Sequence, residues 1–238
     1  MSRHRVVSHE RIEGVFWVTQ PDGTKKLATI NLALGRSVYG EKILQFKGRE
    51  YRLWDPYRSK LAAAIHRGLD SVPLWRGEKV LYLGAASGTT ASHISDIIGL
   101  EGRIYCVEFS QRVMRELMGH VAAYRPNIIP ILADARKPED YRMTVERVDL
   151  IYCDIAQPEQ AKILADNSDI FLKDGGWIML AIKASSIDAT KAPSEIFRRE
   201  IATLENRGFL GLRQISLEPY DKAHLMVVAQ YRRRSREE

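Results

Sequence analysis

The stretch Lys79–Gly99, KVLYLGAASGTTASHISDIIG, decides the fold. It opens on a short apolar run suited to a buried strand, and its second half, TTASHISDIIG, carries apolar residues at helical spacing. Only small residues lie between, with Gly84 and Gly88 in the turn. The same alternation continues downstream. Apolar segments GRIYCVEF, NIIPILA, RVDLIYCD, GGWIMLAIKA, FLGLRQISLE and HLMVVAQYR read as strands, and SQRVMRELMGHVAAY, PEQAKILADNSDIFL and SEIFRREIATLENRG read as helices. A parallel strand needs a crossover to return, so the pattern specifies an α/β fold built on a doubly wound, mostly parallel, seven-stranded sheet. Only PYDK separates the last two strands, so they form a hairpin and one of them runs antiparallel.

Upstream the chain has a different character. The segments GVFWVTQ, LATINLA and KGREYRLW are β-prone, and Pro21-Asp22-Gly23 and Lys47-Gly48 are turn signatures. They predict a few antiparallel strands in a small sheet without helices. Asp55-Pro56 breaks this pattern, and the alanine-rich DPYRSKLAAAIHRGL follows as a helical segment. The expected organisation is a small N-terminal β domain over 1–54 and a larger domain over 55–238.

Composition narrows the class. With 238 residues, 45% hydrophobic and 28% charged, the chain can bury a substantial core. No apolar run approaches the roughly 20 residues needed to span a bilayer, and MSRHRVVSHERIEG lacks the apolar core of a secretory signal. A cytoplasmic protein without membrane contact is expected. The two cysteines, Cys106 and Cys153, sit in strand-like runs as reduced core residues, without the partners a metal site requires. The net charge of +6 is compatible with a polyanionic partner, as are the four arginines between Arg232 and Arg236, although a short mixed-charge tail is more often simply solvated.

In a doubly wound sheet, ligands bind at the carboxyl ends of the strands. The first strand ends in the small-residue turn Gly84, Ala85 and Gly88, followed by Thr89 and Thr90, whose hydroxyls open the next helix. This turn lacks the Gly-Lys-Ser/Thr of a phosphate loop, and Ala86 stands where a dinucleotide fingerprint has its second glycine. The second strand ends at Glu108, about 20 residues beyond the turn, where a carboxylate accepts from ribose hydroxyls. It could equally cap the helix opening at Ser110. The third leads to Asp134 and Ala135, suited to the amine and a ring nitrogen of adenine, with a turn aspartate as the competing reading. Three strand ends thus each match one part of an adenosine.

The later strand ends offer chemistry. Asp154 ends the fourth, Lys183 the fifth, and His224 opens the last, so an antiparallel last strand brings all three to one sheet edge. Lys60, on the helix leading into the first strand, is a fourth candidate. Two lysines beside one aspartate suit removal of a proton from a weakly acidic hydroxyl: one amine as base, the other cation stabilising the alkoxide, the carboxylate orienting both. Ordinary ion pairs, and a core histidine at His224, are the structural alternatives.

The combination LGAASGTT, VEFS, ADAR, DIAQPEQ and AIKASSID, with PYDKAH and the earlier SKLAAAI, resembles fibrillarin, in its archaeal form, over nearly the whole chain. The resemblance implies a Rossmann-like, class I S-adenosyl-L-methionine-dependent methyltransferase acting on ribose 2′-hydroxyls of rRNA and tRNA. It implies cofactor contacts at Thr89, Thr90, Glu108, Phe109, Asp134, Ala135 and the run Asp154, Ile155, Ala156 and Gln157, and a catalytic set of Lys60, Asp154, Lys183 and His224. The implied partners are a guide RNA, a Nop-type scaffold protein and a kink-turn-binding, ribosomal-protein-like subunit, assembled as a box C/D ribonucleoprotein. Tyr82 and Ala86 depart from many class I methyltransferases, which carry an acid and a glycine there, so other groups must hold the amino-acid end of the cofactor. A non-catalytic RNA-binding subunit and a methyltransferase with a non-RNA acceptor are the rival readings. Pro158 suits the first turn of the helix that leads away from this run.

Overall fold

Five N-terminal strands pair into one sheet, and Val18, Ala28, Leu44, Tyr51 and Leu53 from four of them form a buried cluster. The computed structural model describes residues 4–232. In it β1 (Arg5–Ser8), β2 (Val15–Thr19), β3 (Lys25–Ile30), β4 (Ile43–Phe46) and β5 (Arg49–Trp54) form an antiparallel sheet ordered β1-β2-β3-β5-β4. The flanking strands β1 and β4 have no counterpart in the sequence reading. Each is four residues long and only partly buried, too short to carry a periodic signal. The arginine run of the tail, beyond Arg232, lies outside the described residues.

The second sheet contains β6 (Lys79–Leu83), β7 (Arg103–Glu108), β8 (Ile128–Leu132), β9 (Val148–Cys153), β10 (Leu172–Lys183), β11 (Phe209–Ser216) and β12 (His224–Tyr231), in the order β11-β12-β10-β9-β6-β7-β8. From β10 through β8 the pairs are parallel, and β12 runs antiparallel to both β10 and β11. The helices are α1 (Lys60–His66), α2 (Thr89–Ile98), α3 (Gln111–His120), α4 (Gln160–Phe171), the short α5 (Ala184–Ile187) and α6 (Pro193–Asn206). Pro158 lies in the turn before the α4 cap residue Glu159 rather than in the helix, because the chain first extends from Asp154 to Gln157.

Side chains alternate across the second sheet, so it has two cores. Val80, Tyr82, Cys106, Leu150 and Tyr152 face one cluster, and Leu81, Leu83, Tyr105, Ile151 and Cys153 face the other. The first cluster also takes Val15, Leu27 and Trp54 from the small sheet. The two sheets therefore share a core. Cys106 and Cys153 are free and buried on opposite faces, and burial pushes both thiols well up.

A buried polar network crosses the same seam. Asp96 of α2 lies 3.3 Å from the Arg52 guanidinium of β5, accepts from Arg125, and accepts from the Thr29 hydroxyl of β3 at 2.7 Å. Arg52 also donates to Glu41 at 2.8 Å and to Ser92 of α2 at 2.8 Å. His93 of α2 contacts Thr29 Oγ1 through Nδ1 at 2.8 Å and Arg52 through Nε2 at 3.4 Å. The Thr29 proton goes to Asp96, so its oxygen accepts, and the His93 proton is assigned to Nδ1. Breaking one partner out of such a buried pair costs about 3–5 kcal/mol.

Candidate active site at the switch point of the sheet

The chain leaves β6 toward β7 on one side and β9 lies on the other, so the strand order reverses between β6 and β9 and opens a crevice at their carboxyl ends. Gly84 ends β6 there with φ +80°. An added Cβ would sit 2.5 Å from the Asp154 carbonyl and 2.9 Å from Ile155 Cγ2, so no side chain fits. This absence of side chain lets two clefts meet. Gly84, Ala86, Asp154, Ile155 and Ala156 line both.

The first cleft, about 280 Å³, also carries Glu108, Phe109, Asp134, Ala135 and Gln157. Glu108 is buried, and its carboxylate accepts from the Ala86 N–H at 3.1 Å and the Ser110 N–H at 2.9 Å. Those two bonds fix its orientation and leave acceptor capacity for a ligand. Helix capping of α3 falls to Ser110, whose hydroxyl accepts from Val113. Asp134 accepts from the Arg136 N–H at 2.9 Å and pairs with both sides of the Arg136 guanidinium, which holds its carboxyl below the usual carboxylate range. The turn role and the charged acceptor thus coexist. The Ala135 N–H has no partner among the described residues, and Phe109 is exposed at the rim.

Ala86 adopts φ +48°, the left-handed region that a side chain disfavours. The backbone shape that a glycine would supply is present without the glycine, held by Glu108. Gly88 behaves differently from its expected ligand role. It caps α2 at φ +93°, and a Cβ there would lie 2.7 Å from Leu117 of α3. It lines neither cleft and serves helix packing.

The second cleft, about 350 Å³, is polar and holds Lys60, Tyr82, Ala85, Thr89, Thr90 and Lys183. Ser59 caps α1, and its hydroxyl oxygen accepts from Ala62 and, at 2.9 Å, from the Thr90 hydroxyl. Thr90 is buried, so this hydroxyl serves to fix the start of α1 against α2. Lys60 follows at once, and its Nζ donates to Asp154 Oδ1 at 2.9 Å and Oδ2 at 3.0 Å. Burial pushes the Tyr82 phenol far up, so it remains neutral.

Lys183 and His224 are directly opposed across the β10–β12 pair. Lys183 has no carboxylate within 4.0 Å among the described residues, and its N–H donates to Gln160 at 3.0 Å. His224 is buried, with Nδ1 2.8 Å from the Lys222 carbonyl and 2.9 Å from Asp221 Oδ1. Both neighbours are acceptors, so the proton is assigned to Nδ1, and Nε2 is left for other partners. Asp221 also stands 3.9 Å from Lys60 Nζ. It contacts both Lys60 and His224, and the sequence reading missed it. Its only signal is its place within PYDKAH, three residues ahead of His224.

This sheet order, with β12 reversed and carboxylates after β7 and β8, defines a Rossmann-like, class I S-adenosylmethionine-dependent methyltransferase. The chain belongs to the fibrillarin family, whose model, described as Fibrillarin, matches residues 6–233. It is 59% identical over 226 residues to the fibrillarin-like rRNA/tRNA 2′-O-methyltransferase of Staphylothermus marinus, covering 95% of this chain and 96% of that protein. The crystal structure of Aeropyrum pernix fibrillarin with natively bound S-adenosyl-L-methionine matches with a TM-score of 0.89 and 52% identity, covering 96% of this chain and 100% of that one. A fibrillarin/Nop5p complex matches with a TM-score of 0.82 and 44% identity, covering 94% and 100%. Among the described residues no helix is long and apolar enough to cross a membrane, and no group of three or more His, Cys, Asp or Glu side chains is placed to hold a metal.

Proposed function

We propose that this chain is the catalytic subunit of a guide-RNA-directed box C/D ribonucleoprotein and methylates ribose 2′-hydroxyls in rRNA and tRNA. The observation that carries the reading is the Lys60–Asp154 pair, set beside Lys183 at the place where the two clefts meet. The polar groups of the first cleft fit an adenosine: Glu108 accepting from the ribose hydroxyls, Asp134 accepting from the exocyclic amine, and the Ala135 N–H, without a partner among the described residues, donating to a ring nitrogen, with Phe109 and Ile155 as apolar walls. Thr89, Ala85 and the Gly84 backbone line the way to the methionine end. S-adenosyl-L-methionine, when bound there, supplies an electrophilic methyl group.

The chain's own residues have three tasks. Asp154 orients the Lys60 ammonium, which stabilises negative charge developing on the 2′-oxygen. Lys183, with no carboxylate within 4.0 Å among the described residues, is assigned the hydroxyl proton, with His224 opposite it on the neighbouring strand. Asp221 holds the His224 ring by its Nδ1–H. Holding the hydroxyl in line with the methyl group removes entropy that free reactants would have to lose.

The Nop-type scaffold follows from the relative solved with Nop5p. Guide RNA and a kink-turn-binding subunit complete the proposed assembly, in the cytoplasm, with residues 1–54 as the small β domain and 55–238 as the methyltransferase domain. The test is methylation of a guided RNA by the reconstituted complex, with mapping of 2′-O-methyl positions. Site-specific product only with the partners present is expected; no product from the complete complex would overturn the proposal.

A further inference from the structure

β9 and β10 run parallel, but their ladder stops short of the crevice. The last paired residues are Cys153 and Leu180, where β9 ends, whereas β10 continues to Lys183. The chain after β9 turns off through Asp154 and Ile155, so the two strand ends part just where the second cleft opens. Backbone groups left there need partners other than a strand.

One side chain bridges the gap. Gln160, the first residue of α4, is completely buried. Its Oε1 accepts from the Lys183 N–H at 3.0 Å, and its Nε2 donates to the Ile155 carbonyl at 2.8 Å. The placing of the two amide atoms is forced, because a backbone N–H only donates and a carbonyl only accepts. Gln160 is itself held from behind: the next N–H, that of Ala161, donates to the buried Glu200 of α6 at 2.9 Å. The Asp154 N–H donates to the Leu83 carbonyl of β6 at 2.9 Å. Asp154-Ile155 is thus tied to β6 on one side and, through Gln160, to β10 on the other.

The same bond bears on how Lys183 meets His224. In an antiparallel ladder a residue turns its N–H and C=O to one side, and its neighbours turn theirs to the other. Lys183 points its N–H at Gln160, and Ala184 donates to the Ala223 carbonyl at 3.3 Å. Lys183 and His224 therefore form a non-hydrogen-bonded pair, the kind whose Cα atoms stand closer, at about 4.5 Å, and whose side chains are nearer each other.

We propose that Gln160 is a positioning residue of the site: its amide stands in for the missing ladder and sets the spacing between Asp154 on one strand end and Lys183 on the other. The inference rests on the methyltransferase reading for what the two side chains do, but the bridge itself is measured separately. Gln160→Met keeps the length of the side chain and removes both polar atoms. In the reconstituted complex it should lower kcat roughly tenfold to hundredfold, the scale of a small misplacement of reacting groups, with KM for the target strand and Kd for the cofactor within threefold of wild type. In a second arm, amide hydrogen exchange is followed by NMR on the free chain. The Lys183 amide should exchange at least ~10-fold faster in Gln160→Met, while the Ile182 amide, which faces β12, keeps its rate. An unchanged Lys183 rate overturns the bridge. Faster exchange with kcat within twofold of wild type overturns the positioning role, and so does a loss of kcat matched by an equal loss of cofactor affinity, which marks a general structural defect. An inactive wild-type complex strikes at the methyltransferase reading alone, since the exchange rates still judge the bridge.

Discussion

At the scale of residues, Asp154 spreads its two oxygens around one ammonium, so deleting it removes the orienting charge and frees Lys60 together. Asp154→Ala and Lys183→Ala should each lower turnover of the assembled complex by at least ~100-fold, the scale of a lost base or positioned charge. Turnover near wild type in either would remove the residue from the mechanism. Asp221→Ala should cost roughly tenfold, one charge-assisted hydrogen bond, while Asp221→Asn, which keeps an acceptor for the His224 Nδ1–H, should recover most of it. Equal losses in both variants would point to charge alone. Lys60, Asp154, Lys183 and His224 were legible in the sequence because each stands at a strand or helix end whose place in a doubly wound sheet is fixed. Asp221 was not, because a loop has no period. Nor was the Thr90 partner: a hydroxyl is readable, but its bond to Ser59 depends on how two helices meet.

At the scale of elements, strands and helices follow apolar periodicity closely, and the departures have local causes. β1 and β4 are too short to show a period, and Pro158 precedes its helix because the chain must first cross the crevice. The turn between β6 and α2 is the least readable piece. Gly84 and Gly88 look alike in sequence yet face Asp154 and Leu117, and Ala86 holds the positive φ that composition alone would assign to a glycine. Ala86→Gly should relieve that conformation at the cost of some chain entropy, for a net gain of about 0.5–1 kcal/mol in urea denaturation. A clear loss of stability would mean that the Ala86 methyl group packs usefully.

At the scale of the whole molecule, the shared core and the Arg52–Asp96–Arg125 network bind the two sheets into one unfolding unit, so tryptophan fluorescence and circular dichroism should report coincident transitions. Stability should also depend on pH through His93. Burial, with Arg52 and Arg125 nearby, pushes its pKa well below 6.5, so the folded chain keeps it neutral while the unfolded chain protonates below that value. The stabilisation is present above pH 6.5 and is lost as pH falls beneath it. Glu78, pushed up to about 7 mainly by burial, acts in the opposite sense: stability is fullest below 4.5 and declines as pH rises toward 7. The two are separated by measuring unfolding midpoints of His93→Gln between pH 5 and 7.5. Its loss of stability toward acid should be shallower than wild type, and an unchanged slope would exclude His93 as the source.

The placement of α2 has a wider consequence. Its first residues line the second cleft, and its middle carries the groups that hold the small sheet. A ligand that binds only the folded chain adds about 2.7 kcal/mol at a concentration of 100 Kd, and in a cooperative unit every part shares that gain. With Trp75 and Trp177 replaced by Phe, the remaining indole fluorescence comes from Trp17 and Trp54, both on strands of the small sheet. Those indoles would then register saturation of a crevice on the other sheet as a higher melting temperature, which makes the N-terminal strands a remote gauge of cofactor occupancy.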